Sequence, residues 1–305
     1  MNVLYSSDDN YAQHLGASLY SLLSHNLSCG EISIYIIDNA ISPSNRQKLQ
    51  QISDCFPNSK IIWIDFQNWI ERLKLNMPWK ISISAYGRLF VGSMLPESVG
   101  RVLYLDSDTV INSALDQLWE TDLSGFVLGA VQDSVGREAK QSVGLDLHDR
   151  YVNSGVLLID LDRWRELGIE QKCMEFIADR SGSVVHHDQG VINGVLHHQI
   201  KILPIENNVM TIHYMLSTGK IQKYFGDLAE FYEEESVVRA KENPVVLHYT
   251  PSFTCHPWEK GCKHPYTGLY WESLKNTPWK NARANRNPGK WYVRLYEWRF
   301  RTFPL

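Results

Sequence analysis

Cysteine is scarce in this 305-residue sequence, and long apolar runs are absent. The five cysteines are odd in number and scattered, which argues against a disulfide scaffold and favours a reducing cytosol. Four neighbouring residues, Cys255, His256, Cys262 and His264, lack the paired spacings of a structural zinc site. No apolar stretch approaches the ~18 residues of a membrane-spanning helix, and the first residues do not have the pattern of a signal peptide. We therefore expect a protein that is soluble or lies on a membrane surface.

Glycine-rich phosphate-binding motifs are also missing. Neither G-x-G-x-x-G after the first apolar run nor G-x-x-x-x-G-K-[ST] occurs, so a bound nucleotide would be held through a bridging metal ion. The absence of G-x-S-x-G weakens the prediction of a serine hydrolase. A net charge of −4 argues against a globally basic nucleic-acid-binding protein, and 44% hydrophobic residues exclude a disordered chain.

Short apolar runs alternate with helical patterns along the sequence. The predicted strands are residues 3–7, 32–37, 61–66, 101–105, 126–131, 155–161 and 245–247. The predicted helices are residues 11–23, 85–94 and 188–196, with a further helix capped by Ser42 and beginning at Pro43. This spacing is typical of βαβ units and predicts an α/β fold with a mostly parallel central sheet flanked by helices.

Polar residues follow strand after strand, and in a parallel sheet these positions share the edge where ligands bind. They are Asp8, Asp38, Asp106, Asp108, Asp133 and His248.

Asp106 and Asp108 stand two residues apart directly after one predicted strand. Residues i and i+2 of an extended segment face the same way, so the two carboxylates would share one side. Hard oxygen ligands suit Mn²⁺ or Mg²⁺, which bridge diphosphate oxygens. His248 at the end of a later strand would complete the set, and its imidazole favours Mn²⁺ over Mg²⁺. The alternative is a solvated turn, but the buried strand and the other strand-end acids favour the metal site.

Five blocks of sequence carry a resemblance to a known family. They are residues 5–11 (YSSDDNY), Arg88 with residues 102–108 (VLYLDSD), residues 151–158 (YVNSGVLL), residues 187–190 (HDQG) and, in part, residues 248–258. In this order they resemble the retaining GT-A glycosyltransferases of family 8, which include bacterial lipopolysaccharide galactosyl- and glucosyltransferases and glycogenin. The resemblance implies a GT-A fold with a Rossmann-like sheet. It also implies transfer of galactose or glucose from a UDP-sugar to a saccharide hydroxyl in the synthesis of cell-surface glycans.

The same resemblance implies roles for individual residues. Asp8, Asn10 and Tyr11 would hold the uridine, and Mn²⁺, with Mg²⁺ as the alternative, would bind the diphosphate and the Asp106, Asp108 and His248 side chains. The remaining implied donor contacts are Arg88, Ser107 and His256, and the implied catalytic group around the donor sugar is Asp133, Asn153, Asp188 and Gln189. Amide, carboxylate and guanidinium groups supply the fixed donors and acceptors that sugar hydroxyls need.

Retention of configuration requires either a covalent enzyme intermediate or attack from the face of departure. Gln189 and Asp188 would lie near the anomeric carbon. Because an amide is a poor nucleophile, we favour same-face attack, with a phosphate oxygen of UDP accepting the proton of the acceptor. The alternative for Asp188 is a cap at the start of the helix predicted there.

One block departs from the family pattern H-x-x-G-x-x-K-P-W. The glycine is absent, the loop from His248 to Trp258 is two residues longer, and His256 replaces the lysine. A neutral imidazole would stabilise departing UDP less than an ammonium group. Lys260 and Lys263 are the alternatives for this position.

The charge is unevenly divided along the chain. Residues 280–305 carry seven basic residues and one acid, a balance of +6, which leaves −10 for residues 1–279. In this tail Lys290, Arg294, Glu297 and Arg301 recur at helical spacing among aromatic residues. We expect a catalytic domain at 1–279 and a helical tail that lies on an anionic membrane surface or docks on protein. This predicts a cytoplasmic enzyme at the inner face of the membrane, with a saccharide or lipid-linked saccharide acceptor.

Two other functional classes are compatible with these residues. A sugar-nucleotide nucleotidyltransferase also has strand-end acids and a metal, but usually carries a basic glycine-rich loop where Asp8, Asp9 and Asn10 stand. A non-catalytic UDP-sugar-binding protein would share the donor site without turnover.

Overall fold

The computed structural model describes residues 1–66, 83–226, 231–251 and 253–285. The strands in these ranges are β1 (Asn2–Asp8), β2 (Ile32–Asn39), β3 (Ser59–Asp65), β4 (Arg101–Leu105), β5 (Thr109–Ile111), β6 (Leu128–Gln132), β7 (Val152–Asp160), β8 (Ile200–Ile202), β9 (Val209–Met210) and β10 (Val246–His248). All seven predicted strands are confirmed, with bounds that move by at most three residues.

The α-helices in the described ranges are α1 (Ala12–His25), α2 (Pro43–Asp54), α3 (Val91–Met94), α4 (Asp116–Trp119), α5 (Arg137–Ser142), α6 (Leu161–Glu166), α7 (Ile169–Asp179), α8 (His187–Leu196), α9 (Thr211–Met215), α10 (Thr218–Phe225), α11 (Glu234–Glu242) and α12 (Thr267–Lys275). The described 3-10 helices are Ile83–Phe90, His197–Gln199 and Ile205–Asn208. Ser42 caps α2 as predicted, because its side chain accepts the Asn45 N–H.

A seven-stranded sheet forms the centre of the molecule, in the order β3-β2-β1-β4-β7-β6-β8. Strand β7 runs antiparallel to both of its neighbours, and the other adjacent pairs are parallel. The predicted mostly parallel α/β sheet is therefore confirmed.

Both faces of this sheet are buried. On β1, Leu4 packs into the hydrophobic cluster on one face, while Val3 and Tyr5 pack into the cluster on the other. Adjacent residues of a strand point to opposite faces, so a strand covered on both sides is apolar almost throughout. This explains why the strands are visible in the sequence as continuous apolar runs.

The predicted helix at 85–94 is an α-helix only in its last turn. Its first part belongs to the 3-10 helix Ile83–Phe90, which lies against the central sheet. A Cβ atom at Gly87 would come within 3.1 Å of both Ser6 and Ile37. Glycine therefore allows this segment to approach the strands closely, and Arg88 is carried to the carboxyl ends of the strands.

A second sheet of three strands, β5-β10-β9, lies beside the end of β4. Strand β10 is antiparallel to β5 and parallel to β9, and its last residue, His248, pairs with Thr109. Because Thr109 directly follows Asp108, this register brings His248 next to the predicted metal ligands.

The C-terminal part of the described chain folds back on residues 258–260. Asn285 N donates to Trp258 O at 2.9 Å, and Lys260 N donates to Asn285 O at 2.8 Å. The predicted helical stripe from Lys290 to Arg301 lies outside the described residues. In the described ranges, no helix combines the length and the apolar character that crossing a membrane requires.

Candidate active site

A cavity of about 180 Å³ opens at the carboxyl ends of β1 and β4. Its lining residues are Ser6, Ser7, Asp8, Tyr11, Ala85, Arg88, Tyr104, Asp106, Ser107 and Asp108. Six of these were predicted from the sequence, and the location is the one where parallel α/β sheets bind ligands. Ser107 ties the two strand ends together, since its hydroxyl contacts Ser6 O at 3.4 Å.

Asp106, Asp108 and His248 form a compact group beside this cavity. Each offers one ligand atom, and these atoms lie within 4.8 Å of one another. His248 Nε2 is 3.2 Å from Asp108 Oδ1 and 3.7 Å from Asp106 Oδ2. Two carboxylates and one imidazole facing a common point can hold a divalent transition metal ion. The predicted ligand set is therefore assembled in the structure.

The charges in this group stabilise one another. Burial opposes the charged form of His248, but Asp108 outweighs burial and the pKa of the imidazole is raised. Burial likewise opposes the charged form of Asp108, but His248 outweighs it and the pKa of that carboxyl is lowered. The site therefore favours the charged forms of both His248 and Asp108, although His248 is only 4% exposed.

Arg88 connects the candidate metal site to Asp188. Its guanidinium lies 2.7 Å from Asp106 and 3.0 Å from Asp188, and it also donates to the backbone carbonyl of Ser154. Burial would lower the pKa of this guanidinium, but the two carboxylates outweigh burial and raise it. Burial raises the pKa of Asp188, which the guanidinium opposes. Arg88 is thus the cation that balances two acids at the floor of the site.

Asp133, Asn153 and Gln189 form a closed set of hydrogen bonds. Asn153 Nδ2 donates to Asp133 Oδ2 and to Gln189 Oε1, both at 3.1 Å. Gln189 Nε2 donates to the same oxygen of Asp133 at 3.0 Å. Asn153 lies near the start of β7, and the antiparallel direction of β7 places that start at the carboxyl ends of its neighbours. The predicted catalytic group is thus brought together from β7, α8 and the residue after β6.

Asp188 lies inside the first turn of α8 and does not cap the helix. The cap position is His186, and both His186 and His187 have the left-handed backbone conformation. The Asp188 carboxylate instead accepts a hydrogen bond from Ser154 Oγ at 3.1 Å and pairs with Arg88. Left-handed backbone at non-glycine residues is strained and is frequently found at ligand sites.

Three predicted residues lie at or beyond the rim of this group. Asn10 is exposed on the turn after β1, and Tyr11 is 36% exposed at the cavity wall. His256 is 7% exposed and stacks on Trp258 at 4.4 Å. Its Nδ1 is 3.6 Å from Glu259, and the charged form of its ring would help to lower the pKa of Asp108. His256 is therefore close enough to act on the site electrostatically.

Asp38 is the strand-end acid that does not join the site. Its carboxylate accepts the Ile41 N–H at 2.7 Å and pairs with Arg46 at the start of α2. This carboxylate closes the turn that follows β2.

Comparison with known proteins agrees with this geometry. The sequence model for glycosyl transferase family 8 matches residues 2–262. The chain belongs to glycosyl transferase family 8. General stress protein A of Bacillus subtilis (strain 168) is 28% identical over 283 residues, covering 92% of this chain and 94% of that protein. Lipopolysaccharide 1,2-glucosyltransferase of Escherichia coli (strain K12) is 27% identical over 285 residues, covering 92% of this chain and 79% of that protein.

The fold agrees with the family as well. The crystal structure of galactosyltransferase LgtC in complex with donor and acceptor sugar analogues superposes with a TM-score of 0.73 at 25% identity. The match covers 96% of this chain and 99% of LgtC. The predicted GT-A fold is confirmed, and membership of family 8 supports a glycosyl transfer activity for this chain.

Two residues of this family 8 site were missed by the sequence analysis. Tyr104 donates its hydroxyl hydrogen to Asp106 Oδ1 at 2.7 Å, and the Arg88 guanidinium lies 4.1 Å from its ring centre. Its position two residues before Asp106 places it on the same face of the strand, which was an available signal. Asn208 contacts His248 and Asn153. No local pattern marks Asn208, since it is distant in sequence from both.

Proposed function

We propose that this chain is a retaining hexosyltransferase that moves galactose or glucose from UDP-hexose to a saccharide hydroxyl, with Mn²⁺ as the metal ion and Mg²⁺ as the alternative. The observation that carries the proposal is the Asp106, Asp108 and His248 group, whose two carboxylates line one cavity together with Asp8 and Tyr11. A nucleotide-diphosphate sugar needs a base pocket, a cation and a polar sugar pocket in this order.

The uridine would lie against the β1 end of the cavity. Tyr11 offers a half-buried ring for stacking, and Asp8 Oδ1 accepts the Tyr11 N–H at 3.1 Å, which holds the carboxylate beside the ring. A carboxylate can accept the uracil N–H. Asn10, exposed on the same turn, is proposed to complete this pocket.

The diphosphate would lie over the Asp106, Asp108 and His248 side chains. Arg88 fixes Asp106 by one oxygen, and Ser107 holds the end of β4 against the end of β1. When bound there, the cation supplies positive charge that stabilises the leaving diphosphate. His256 is proposed to add positive charge on the same side when it is protonated.

The hydrogen bonds of the sugar pocket support same-face attack. Gln189 Oε1 accepts from Asn153 Nδ2 and from Ser154 N, at 3.1 and 3.2 Å, so its lone pairs are engaged. The Asp188 carboxylate is paired with Arg88. Neither group is an activated nucleophile in this arrangement. In our proposal the bond from the anomeric carbon to UDP breaks, the acceptor oxygen bonds from the same side, and its proton passes to a phosphate oxygen of UDP.

The experiment is a screen of UDP-galactose and UDP-glucose with Mn²⁺, with Mg²⁺ and after chelation, in the presence and absence of saccharide acceptors. We expect metal-dependent UDP release from one donor and an α-linked product, read by the anomeric coupling in proton NMR. Pyrophosphate exchange with UTP would instead identify a nucleotidyltransferase. UDP-sugar binding without release under any condition would identify a binding protein.

We further propose that residues 1–279 form the catalytic domain and that residues 280–305 attach it to the inner face of the cell membrane, from the cytoplasm. The proposal is supported by the +6 balance and the aromatic content of the tail. The acceptor would then be a saccharide or a lipid-linked saccharide of a cell-surface glycan.

A further inference from the structure

Asn208 is a fully buried amide that lies between the candidate metal site and the candidate sugar pocket. It ends the 3-10 helix Ile205–Asn208 directly before β9, whose pairing with β10 places Met210 beside His248. Its Oδ1 is 3.0 Å from His248 Nδ1, and its Nδ2 donates to Asn153 Oδ1 at 2.9 Å. One side chain therefore contacts one member of each group.

A backbone amide determines the direction of these hydrogen bonds. Gly155 N–H donates to Asn153 Oδ1 at 2.9 Å, so this atom is an acceptor oxygen, and the Asn208 atom facing it must be the amide nitrogen. Asn208 Oδ1 then faces His248, whose Nδ1 must be the donor. The Nε2 atom of His248 is left facing the two carboxylates of the candidate metal site.

A second backbone amide, that of Ser154, determines the direction of the hydrogen bonds between Asn153 and the sugar pocket. Ser154 N–H donates to Gln189 Oε1 at 3.2 Å, so Asn153 meets this oxygen with its Nδ2 atom. The same Nδ2 donates to Asp133 Oδ2 at 3.1 Å. With its Nδ2 directed into the sugar pocket, Asn153 turns its Oδ1 towards Asn208. This oxygen accepts the hydrogen bond from Asn208 Nδ2.

We infer that Asn208 is a positioning residue that couples the metal ligand His248 to the donor-sugar pocket, an inference that rests on the proposed function. Its oxygen holds His248 in the tautomer that presents Nε2 to a cation, and its nitrogen orients Asn153. Metal-binding histidines depend on such partners, whose loss costs roughly 10- to 100-fold in metal affinity. An amide suits this place because it donates and accepts at once, whereas a carboxylate of the same shape only accepts.

The test compares two substitutions that separate these contacts. Asn208→Ala removes both, and Asn208→Asp keeps an acceptor for His248 but loses the donor to Asn153. Asn207→Ala is the matched control, since Asn207 is a neighbouring buried amide whose Nδ2 donates within its own turn, to Pro204 O at 3.2 Å. Mn²⁺ affinity of the full chain is read from the EPR signal of free Mn²⁺ at a fixed UDP concentration, with a UDP-only blank.

We expect Asn208→Ala to weaken Mn²⁺ binding roughly 10- to 100-fold. Asn208→Asp should bind Mn²⁺ about as tightly as the wild type while its kcat falls, and Asn207→Ala should match the wild type in both. If Asn208→Ala does not fold, unchanged Mn²⁺ affinity with reduced kcat in Asn208→Asp supports the inference.

Equal loss of Mn²⁺ affinity in both Asn208 variants would overturn the inference, because it would reflect packing alone. If the wild type binds Mn²⁺ and Asn208→Ala binds it with the same affinity, this inference is refuted and the proposed function stands. A wild-type chain that binds no Mn²⁺ would refute the metal site of the proposed function, and this inference with it.

Discussion

Asp106 uses its two carboxylate oxygens differently. Oδ1 accepts hydrogen bonds from Arg88 and from Tyr104, both at 2.7 Å, while Oδ2 faces His248. The protein thus holds the carboxylate by one oxygen and presents the other to the site. Side chains locked in this way keep a binding geometry without further rearrangement.

Asp108→Ala removes one predicted metal ligand. If UDP-sugar cleavage depends on this ligand, kcat/KM should fall roughly 10²- to 10³-fold, since charge stabilisation by a cation is worth several kcal/mol. Asp162→Ala is the control, because the Asp162 side chain is 75% exposed and lies outside the site. Steady-state UDP release measures both variants, and wild-type turnover of Asp108→Ala would contradict the assignment.

Arg88→Met leaves the buried Asp188 and the half-buried Asp106 without their shared cation. We expect the free energy of unfolding to fall by about 3–5 kcal/mol, the usual effect of breaking a buried ion pair from one side. Urea unfolding at neutral pH, followed by tryptophan fluorescence, measures the change. Lys172→Met, which removes an exposed cation of α7, should leave stability nearly unchanged. A loss below 1 kcal/mol in Arg88→Met would show that the acids tolerate its absence.

At the scale of elements, the direction of β7 determines which of its residues lie at the site. Had β7 been parallel to its neighbours, its first residues would lie at the opposite edge of the sheet. Because it is antiparallel, Asn153, Ser154 and Gly155 lie at the ligand edge, next to β4. Strand β10 contributes in the same way, since its register with β5 brings His248 to Asp108.

Gly155→Ala tests the close contact between β7 and the metal ligands. A Cβ atom there would lie 2.2 Å from His248 Cε1 and 2.8 Å from Asp106 Oδ2, so these side chains must move. We expect Mn²⁺ affinity to fall roughly 10- to 100-fold, as for other perturbations of ligand orientation. Isothermal titration with Mn²⁺ and UDP measures it.

Gly268→Ala serves as the control for this glycine. A Cβ atom at Gly268 in α12 meets nothing within 4 Å, so metal affinity should be unchanged. Stability should change by less than the ~0.5–1 kcal/mol by which alanine is favoured over glycine in a helix interior, because Gly268 is the second residue of α12. Equal Mn²⁺ affinity in Gly155→Ala and the wild type would show that the ligands tolerate the added methyl group.

His213 in α9 and His264 before α12 predict a loss of stability in acid. Burial lowers the pKa of His213 to about 3 and that of His264 to about 4, and each Nδ1 accepts a backbone N–H. Between these values and the ordinary pKa of about 6.5, the unfolded chain binds more protons than the folded chain. Stability from these residues is therefore complete above pH 6.5 and falls as the pH decreases, by up to about 1.4 kcal/mol per pH unit for each histidine.

Urea unfolding between pH 7.5 and 5 measures this effect. His213→Gln should flatten the decline, because glutamine does not titrate. Gln141→Ala, an exposed substitution that changes no titratable group, should leave the slope unchanged. Identical slopes in the wild type and His213→Gln would mean that His213 is protonated without cost.

At the scale of the whole molecule, the net charge of −4 combines an acidic body with a basic aromatic tail. Basic residues near an anionic membrane contribute about 1 kcal/mol each, and the attraction falls within a Debye length. The acids of the body are repelled by the same anionic surface. The division of charge would therefore orient the enzyme with its tail towards the membrane.

Flotation with liposomes tests the proposed attachment. The full chain should float with vesicles that contain 30% anionic lipid at 50 mM salt, and binding should decline at 500 mM because salt screens exposed charges. Replacing Lys290, Arg294 and Arg301 by glutamate should abolish flotation. Replacing three exposed lysines of the body, Lys172, Lys223 and Lys275, should not. Flotation that is equal in both triple variants would refute attachment through the tail.

Several features of the fold and the site could be predicted from the sequence because they depend on residues that are neighbours in the chain. The strands are continuous apolar runs because both faces of the sheet are covered, and Asp106 and Asp108 share one side because they are two residues apart. The 3-10 conformation before Phe90 could not be read, because it depends on the close approach of Gly87 to the sheet. Asp38 followed the same pattern as the site acids, yet its carboxylate accepts the Ile41 N–H and pairs with Arg46, so it closes the turn after β2.

The sequence by itself determined the α/β class, the strand-end acids and, through its blocks of residues, the family. These signals are local in the chain or are carried by short motifs. Only the tertiary structure decided that β7 runs antiparallel, that Arg88 joins Asp106 to Asp188, and that Asn208 lies between His248 and Asn153. The physical reason is that these contacts join segments far apart in sequence, and whether two such side chains meet depends on the register and direction of strands that no local pattern encodes.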